Sequence, residues 1–110
     1  QLSGEDHNAV AFRAAGGAGC ISVSANVAPA LCARMHAAWD EGHITEAMEI
    51  QDRLLPLHDA MFCETSPGPA KYAASLLGCT SEFCRLPLAP LAADSKAKVR
   101  KAMEELGLLG

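Results

Sequence analysis

One short segment limits what this chain can fold into. Gly19-Cys20-Ile21-Ser22-Val23-Ser24 is partly β-branched and bounded by turn formers, and it is the only stretch that reads convincingly as a strand. Helical patterns flank it, so its partners must run parallel to it, and a buried parallel strand needs neighbours on both sides. Gln1-Leu2 can supply only the tail of one such neighbour. With 110 residues the chain has room for one domain and not for two. Its 50% hydrophobic fraction includes 21 alanines and 5 cysteines, which leaves 29 larger apolar side chains. A core that thin implies close approach of helices, or apolar surface shared with another chain.

The rest of the sequence reads as helices with clear punctuation. Ser3 and Asp6 look like a capping pair opening a helix over about 5–15, with Val10 and Phe12 as its large apolar residues and Gly16-Gly17 as its end. Pro29 suits a first helical turn, and Leu31, Met35, Ala38 and Trp39 then recur on one face until Glu41-Gly42. Thr45 offers a cap to the strongest helical pattern, in which Ala47, Ile50, Leu54, Leu57 and Met61 repeat at steps of three and four; Pro56 inside it predicts a bend. Ser66-Pro67-Gly68-Pro69 reads as a turn into a helix over about 70–77, stopped by Gly78. The two prolines of 85–90 predict an extended connection. A last helix over 94–106 should bury Val99, Met103 and Leu106 and end on Gly107-Leu108. Its Lys96, Lys98, Arg100 and Lys101 crowd the positive end of the helix dipole, which fits a solvated face or pairing with a neighbouring subunit. The sum is a mainly α chain that looks like the closing units of a larger α/β sheet or barrel with a helical tail.

Charge and composition exclude several classes. The formal net charge is −4, with no polybasic block, so neither nucleic acid nor an anionic membrane is an expected partner. No apolar run approaches a membrane span, and Gln1-Leu2-Ser3-Gly4 has no signal-peptide character. Cys20, Cys32, Cys63, Cys79 and Cys84 are odd in number and lack the spacing of a zinc site, so reduced thiols in the cytoplasm are expected and no metal or cofactor. His7, His36, His43 and His58 are scattered and receive no catalytic role. Lys71 could form a Schiff base only if strongly desolvated, and at the start of a short helix it reads as a surface lysine, with Glu64 as a possible partner. The run Gly16-Gly17-Ala18-Gly19 follows a helix and enters a strand, the reverse of a phosphate-binding loop. More informative are Ser3-Gly4 and Ile21-Ser22-Val23, where barrel strands would end and where barrel enzymes gather their chemistry. Gly4 would let a ligand approach the backbone, although a glycine after a strand is ordinarily a turn.

Longer motifs then carry a resemblance. Ser3-Gly4-Glu5-Asp6, the run from Gly16 through Gly19-Cys20-Ile21-Ser22-Val23-Ser24-Ala25-Asn26 to Pro29, and Arg53-Leu54-Leu55-Pro56-Leu57-His58 are similar to the late portion of the dihydrodipicolinate synthase family, among the pyruvate-dependent class I aldolases. Pro67-Gly68-Pro69-Ala70-Lys71, Arg85-Leu86-Pro87-Leu88-Ala89-Pro90 and Leu106-Gly107-Leu108-Leu109 continue the resemblance in the same order. Glu64-Thr65-Ser66-Pro67 departs from the family's more usual Glu-Pro-Asn-Pro and points to a subgroup. The resemblance implies the last third or so of a (β/α)8 TIM barrel with its helical C-terminal domain, divided as 1–42 (closing barrel units) and 43–110 (helical domain). It implies a cytoplasmic homotetramer whose lysine forms an imine with pyruvate and condenses it with aspartate semialdehyde on the diaminopimelate route to lysine. By the same resemblance the Ile21 carbonyl and Gly4 contribute to the pyruvate pocket, while the imine lysine and proton-shuttling tyrosines belong to earlier strands. No catalytic residue is therefore expected among these 110, and the chain alone should be inactive and prone to self-association. A sibling aldolase with another aldehyde, or a non-catalytic helical assembly module, are the alternatives.

Overall fold

The computed structural model describes residues 1–85 and 87–109. Strand β1 (Leu2–Ser3) pairs in parallel with β2 (Gly19–Cys20), in the register Leu2 with Gly19 and Ser3 with Cys20. The helices are α1 (Ala9–Ala14), α2 (Pro29–Asp40), α3 (Ile44–Met61), α4 (Gly68–Leu76) and α5 (Ala93–Glu105), with 3-10 turns at Asp6–Asn8 and Ser24–Asn26. Two compact units result, Gln1–Leu55 and Pro56–Gly110.

One device ends four of the helices. After α2 the His43 N–H donates to the Ala38 carbonyl (2.8 Å) and the Gly42 N–H to that of Trp39 (3.0 Å), and after α5 Leu108 bonds Met103 and Gly107 bonds Glu104, each at 3.0 Å. These are Schellman endings, and α1 and α4 finish the same way on Gly16 and Gly78. All four glycines have positive φ, between 72° at Gly107 and 99° at Gly16. A β-carbon is disfavoured there, which is why the sequence marks each end so plainly.

Other boundaries depart from the sequence pattern. The first helix opens as a 3-10 turn, and α1 proper begins only at Ala9, without a side-chain cap from Asn8. The strand over 19–24 stops at Cys20, and Ser24–Asn26 is already a 3-10 turn. In α2 it is Cys32, with Met35 and Ala38, that is buried, while Leu31 and Trp39 are half-buried. Thr45 lies inside α3, whose first turn is closed by the Ala47 N–H on the His43 carbonyl (3.1 Å), so it is not a cap. Pro56 removes one helical donor but does not end α3. The stretch 85–90 is not simply extended, because the Leu88 N–H closes a turn on the Arg85 carbonyl (3.1 Å); Leu86 lies outside the described residues.

In the first unit Val27, Met35, Ala47, Ile50 and Leu54 are buried. In the second the buried apolar residues include Leu57, Met61, Ala73, Val99 and Met103, with Ala102 buried where Leu106 remains half-buried. The α3 periodicity expected from the sequence is therefore the buried face of that helix. Many of the buried positions are alanines, including Ala9, Ala38, Ala60 and Ala70, as a sequence short of large side chains requires.

Candidate functional site at the strand ends

The parallel pair brings Gly4 and Ile21 side by side. The Ala18 N–H donates to the Gln1 carbonyl and the Ile21 N–H to that of Ser3, each at 2.8 Å, so both chains leave the ladder together. Beyond this last rung lie Gly4 and the Ile21 carbonyl, the two positions that the sequence singles out. A β-carbon built on Gly4 would meet nothing within 4 Å, and the Ile21 side chain is 70% exposed.

Below this edge the polar groups are tightly engaged. Ser3, 5% exposed, accepts the Glu5 N–H at 3.0 Å and donates to Asn8 Oδ1 at 2.7 Å. Asp6 is also 5% exposed, and its carboxylate does not cap its own helix. Its Oδ2 accepts the Val23 N–H (3.0 Å) and the Ser24 N–H (3.2 Å), and its Oδ1 accepts the Ser22 hydroxyl. Ser22 Oγ in turn accepts the Ala25 N–H at 2.9 Å. Asp6 therefore caps the 3-10 turn that follows the other strand, with Val23 and Ser24 directing their donors to its carboxylate. From α3, the buried Gln51 donates Nε2 to the Asp6 and His7 carbonyls at 3.0 and 3.3 Å.

The nearby thiols are held protonated. Cys20 Sγ lies 3.9 Å from Asp6 Oδ1, and burial followed by the Asp6 charge pushes its pKa up. Burial, with the Asp6 charge second, raises the Cys32 pKa to about 11. Neither is a nucleophile near neutral pH. The imidazole of His36 is pushed below its ordinary pKa by burial and then by Arg13, which is engaged with Asp40 and with the Ala18 carbonyl (2.7 Å). Among the described residues no group of three or more His, Cys, Asp or Glu could hold a metal ion.

The remaining candidates have other occupations. Lys71 sits half-buried in the first turn of α4, its N–H on the Pro67 carbonyl at 2.9 Å. Glu64, its suggested partner, instead accepts the Ala92 N–H at 2.9 Å and a bond from Ser95, which together hold its carboxyl below the usual glutamate range. It caps the start of α5 from a distance. Of the basic residues of α5, Lys96 pairs with Glu82 (3.1 Å) and stands 5.2 Å over the Tyr72 ring, whereas Lys98, Arg100 and Lys101 are exposed. The asymmetry of charge is thus partly a specific contact and mostly a solvated face. No helix among the described residues is long and apolar enough to cross a membrane.

A family model described as the dihydrodipicolinate synthetase family matches residues 1–106. The chain belongs to the dihydrodipicolinate synthetase family. Within the family it is 72% identical over 109 residues to the 4-hydroxy-tetrahydrodipicolinate synthase of Acidiphilium cryptum, covering 99% of this chain and 37% of that protein. It is 63% identical over the same length to the enzyme of the same name from Gluconacetobacter diazotrophicus, again with 99% and 37% coverage. The crystal structure of dihydrodipicolinate synthase from Thermotoga maritima superposes with a TM-score of 0.96 at 37% identity, over 98% of this chain and 37% of that one. The chain thus spans about 37% of the length of the curated relatives it matches. Its fold is the mostly helical part of a TIM-barrel enzyme that the resemblance implied.

Proposed function

We propose that this chain serves as part of a 4-hydroxy-tetrahydrodipicolinate synthase, a lyase of the class I aldolase type that condenses pyruvate with aspartate semialdehyde in lysine biosynthesis. The observation that carries this reading is the 72% identity, across 99% of the chain, to a relative bearing that name. In this reading residues 1–42 close the barrel and 43–110 form the helical domain. The Ile21 carbonyl contributes to the pyruvate pocket at the end of β2, and Gly4 leaves room for the ligand at the end of β1. Support comes from the pairing that aligns the two strand ends. The lysine that forms the imine is supplied by other barrel strands, since the strand ends here offer backbone groups and no amine.

The same reading makes the protein a cytoplasmic homo-oligomer, a tetramer as the family resemblance implies. The five thiols suit a reducing compartment, and the exposed Leu2, Met48, Phe62 and Phe83 offer apolar surface for association.

A replacement experiment tests the function. This chain substituted for the matching stretch of the Acidiphilium cryptum synthase should retain condensation of pyruvate with aspartate semialdehyde, whereas the 110 residues alone should show none. A folded chimera that binds pyruvate but ignores aspartate semialdehyde would refute the assignment.

A further inference from the structure

We propose that Asp6 is a positioning residue for the pyruvate pocket, fixing the direction in which Ile21 presents its carbonyl. The inference rests on the reading above that this carbonyl meets pyruvate. On one side of it, the Ile21 N–H is fixed to the Ser3 carbonyl at 2.8 Å. On the other, the next two residues are held by Asp6, through the Ser22 hydroxyl and the Val23 N–H at 3.0 Å. The peptide that carries the Ile21 carbonyl is therefore clamped at both ends, and one of the two clamps is a single side chain from the other strand's loop. Ser24 adds a second N–H at 3.2 Å, so rotating the backbone about Ser22–Val23 would break one buried and two part-buried hydrogen bonds to the Asp6 carboxylate.

Asp6 is itself held from behind. The Gln51 amide donates to its main-chain carbonyl at 3.0 Å, which sets the loop from which the carboxylate projects. The connection runs from α3 through Gln51 and Asp6 to the turn after β2, and each link is a buried or part-buried hydrogen bond. A carboxamide in place of the carboxylate keeps the size of the side chain, but with its oxygen on Val23 and Ser24 its amide group faces Ser22 Oγ, so the Ser22 hydroxyl loses its acceptor and that side of the clamp is weakened. The carbonyl would then be free to tilt, and a substrate contact displaced by about 1 Å costs on the order of 100-fold.

Two measurements on Asp6→Asn decide the matter. In the chain as it stands, with the Ile21 carbonyl labelled with carbon-13, the substitution should shift that carbonyl signal and speed amide exchange at Val23 and Ser24. An unchanged signal would overturn the proposal. In the chimeric synthase, Asp6→Asn should lower kcat/KM for pyruvate by roughly 10- to 100-fold, with little change in the KM for aspartate semialdehyde. An equal loss for both substrates would mark Asp6 as merely structural and overturn it. Should Asp6→Asn fail to fold, Ser22→Ala removes one of the same bonds and keeps the others; it should raise the pyruvate KM several-fold, and no change would again overturn the proposal. An unsubstituted chimera that folds but is inactive would refute the function, leaving the carbonyl signal to decide the role of Asp6.

Discussion

The two compact units achieve order by different means. In Gln1–Leu55 a buried carboxylate gathers two backbone N–H groups and a hydroxyl, and it holds the turn that follows β2. In Pro56–Gly110 the fully buried side chains include the large apolar Leu57, Met61, Val99 and Met103, and the carboxylate that caps α5, Glu64, works near the surface. The contrast teaches where each unit is sensitive. A directional hub fixes geometry and fails by losing direction, whereas an apolar core fixes proximity and fails by leaving a cavity.

Four substitutions sharpen that contrast. Met103→Ala should have the largest effect, a loss of about 2–5 kcal/mol in denaturant unfolding, because a wholly buried side chain is removed from a core with few large residues. A loss below about 1 kcal/mol would mean that the second unit is not held together by apolar packing. Next, Gly42→Ala and Gly107→Ala should each cost about 1–2 kcal/mol, since φ is +81° and +72° and the ending is the same in both units. Unequal losses by the same assay would show that the shared helix ending does not act independently of its unit. The smallest effect belongs to Glu64. Its folded-state pKa is depressed by Ser95 and the Ala92 N–H, so its contribution is complete above the ordinary value of 4.5 and is lost as the pH falls through the lower folded value. Glu64→Gln should lower stability slightly at neutral pH, with the difference from the parent closing as the pH falls through the folded value, so that the acid limb flattens; a steeper acid limb in the variant would contradict the cap.

The legible parts of the fold were those encoded by near neighbours. Gly16, Gly42, Gly78 and Gly107 each end a helix because the left-handed turn is a local steric matter. The three-and-four spacing from Ala47 to Met61 identified a buried face because a helix repeats its own geometry. Gly4 and Ile21 were placed at strand ends by the same kind of pattern, and the parallel register brings them together. The misread residues were those whose partners lie far along the chain. Asp6 looked like a cap for the helix beginning beside it, yet its donors are Val23 and Ser24; Glu64 looked like a partner for Lys71, yet it bonds Ala92 and Ser95. Spacing in sequence gives no signal for such bonds, because the side chain and the backbone it caps meet only after folding.

What the sequence determined alone was therefore the list of helices, their endings, the parallel strand and the family to which these motifs belong, all of which follow from local sterics, periodicity and linear order. Tertiary structure alone decided that β2 stops at Cys20, that Asp6 serves the opposite strand and that Cys32, not Leu31, enters the core. The physical reason is that a buried hydrogen bond or packed side chain takes its energy from a partner in space, and only the folded chain specifies which residue that partner is.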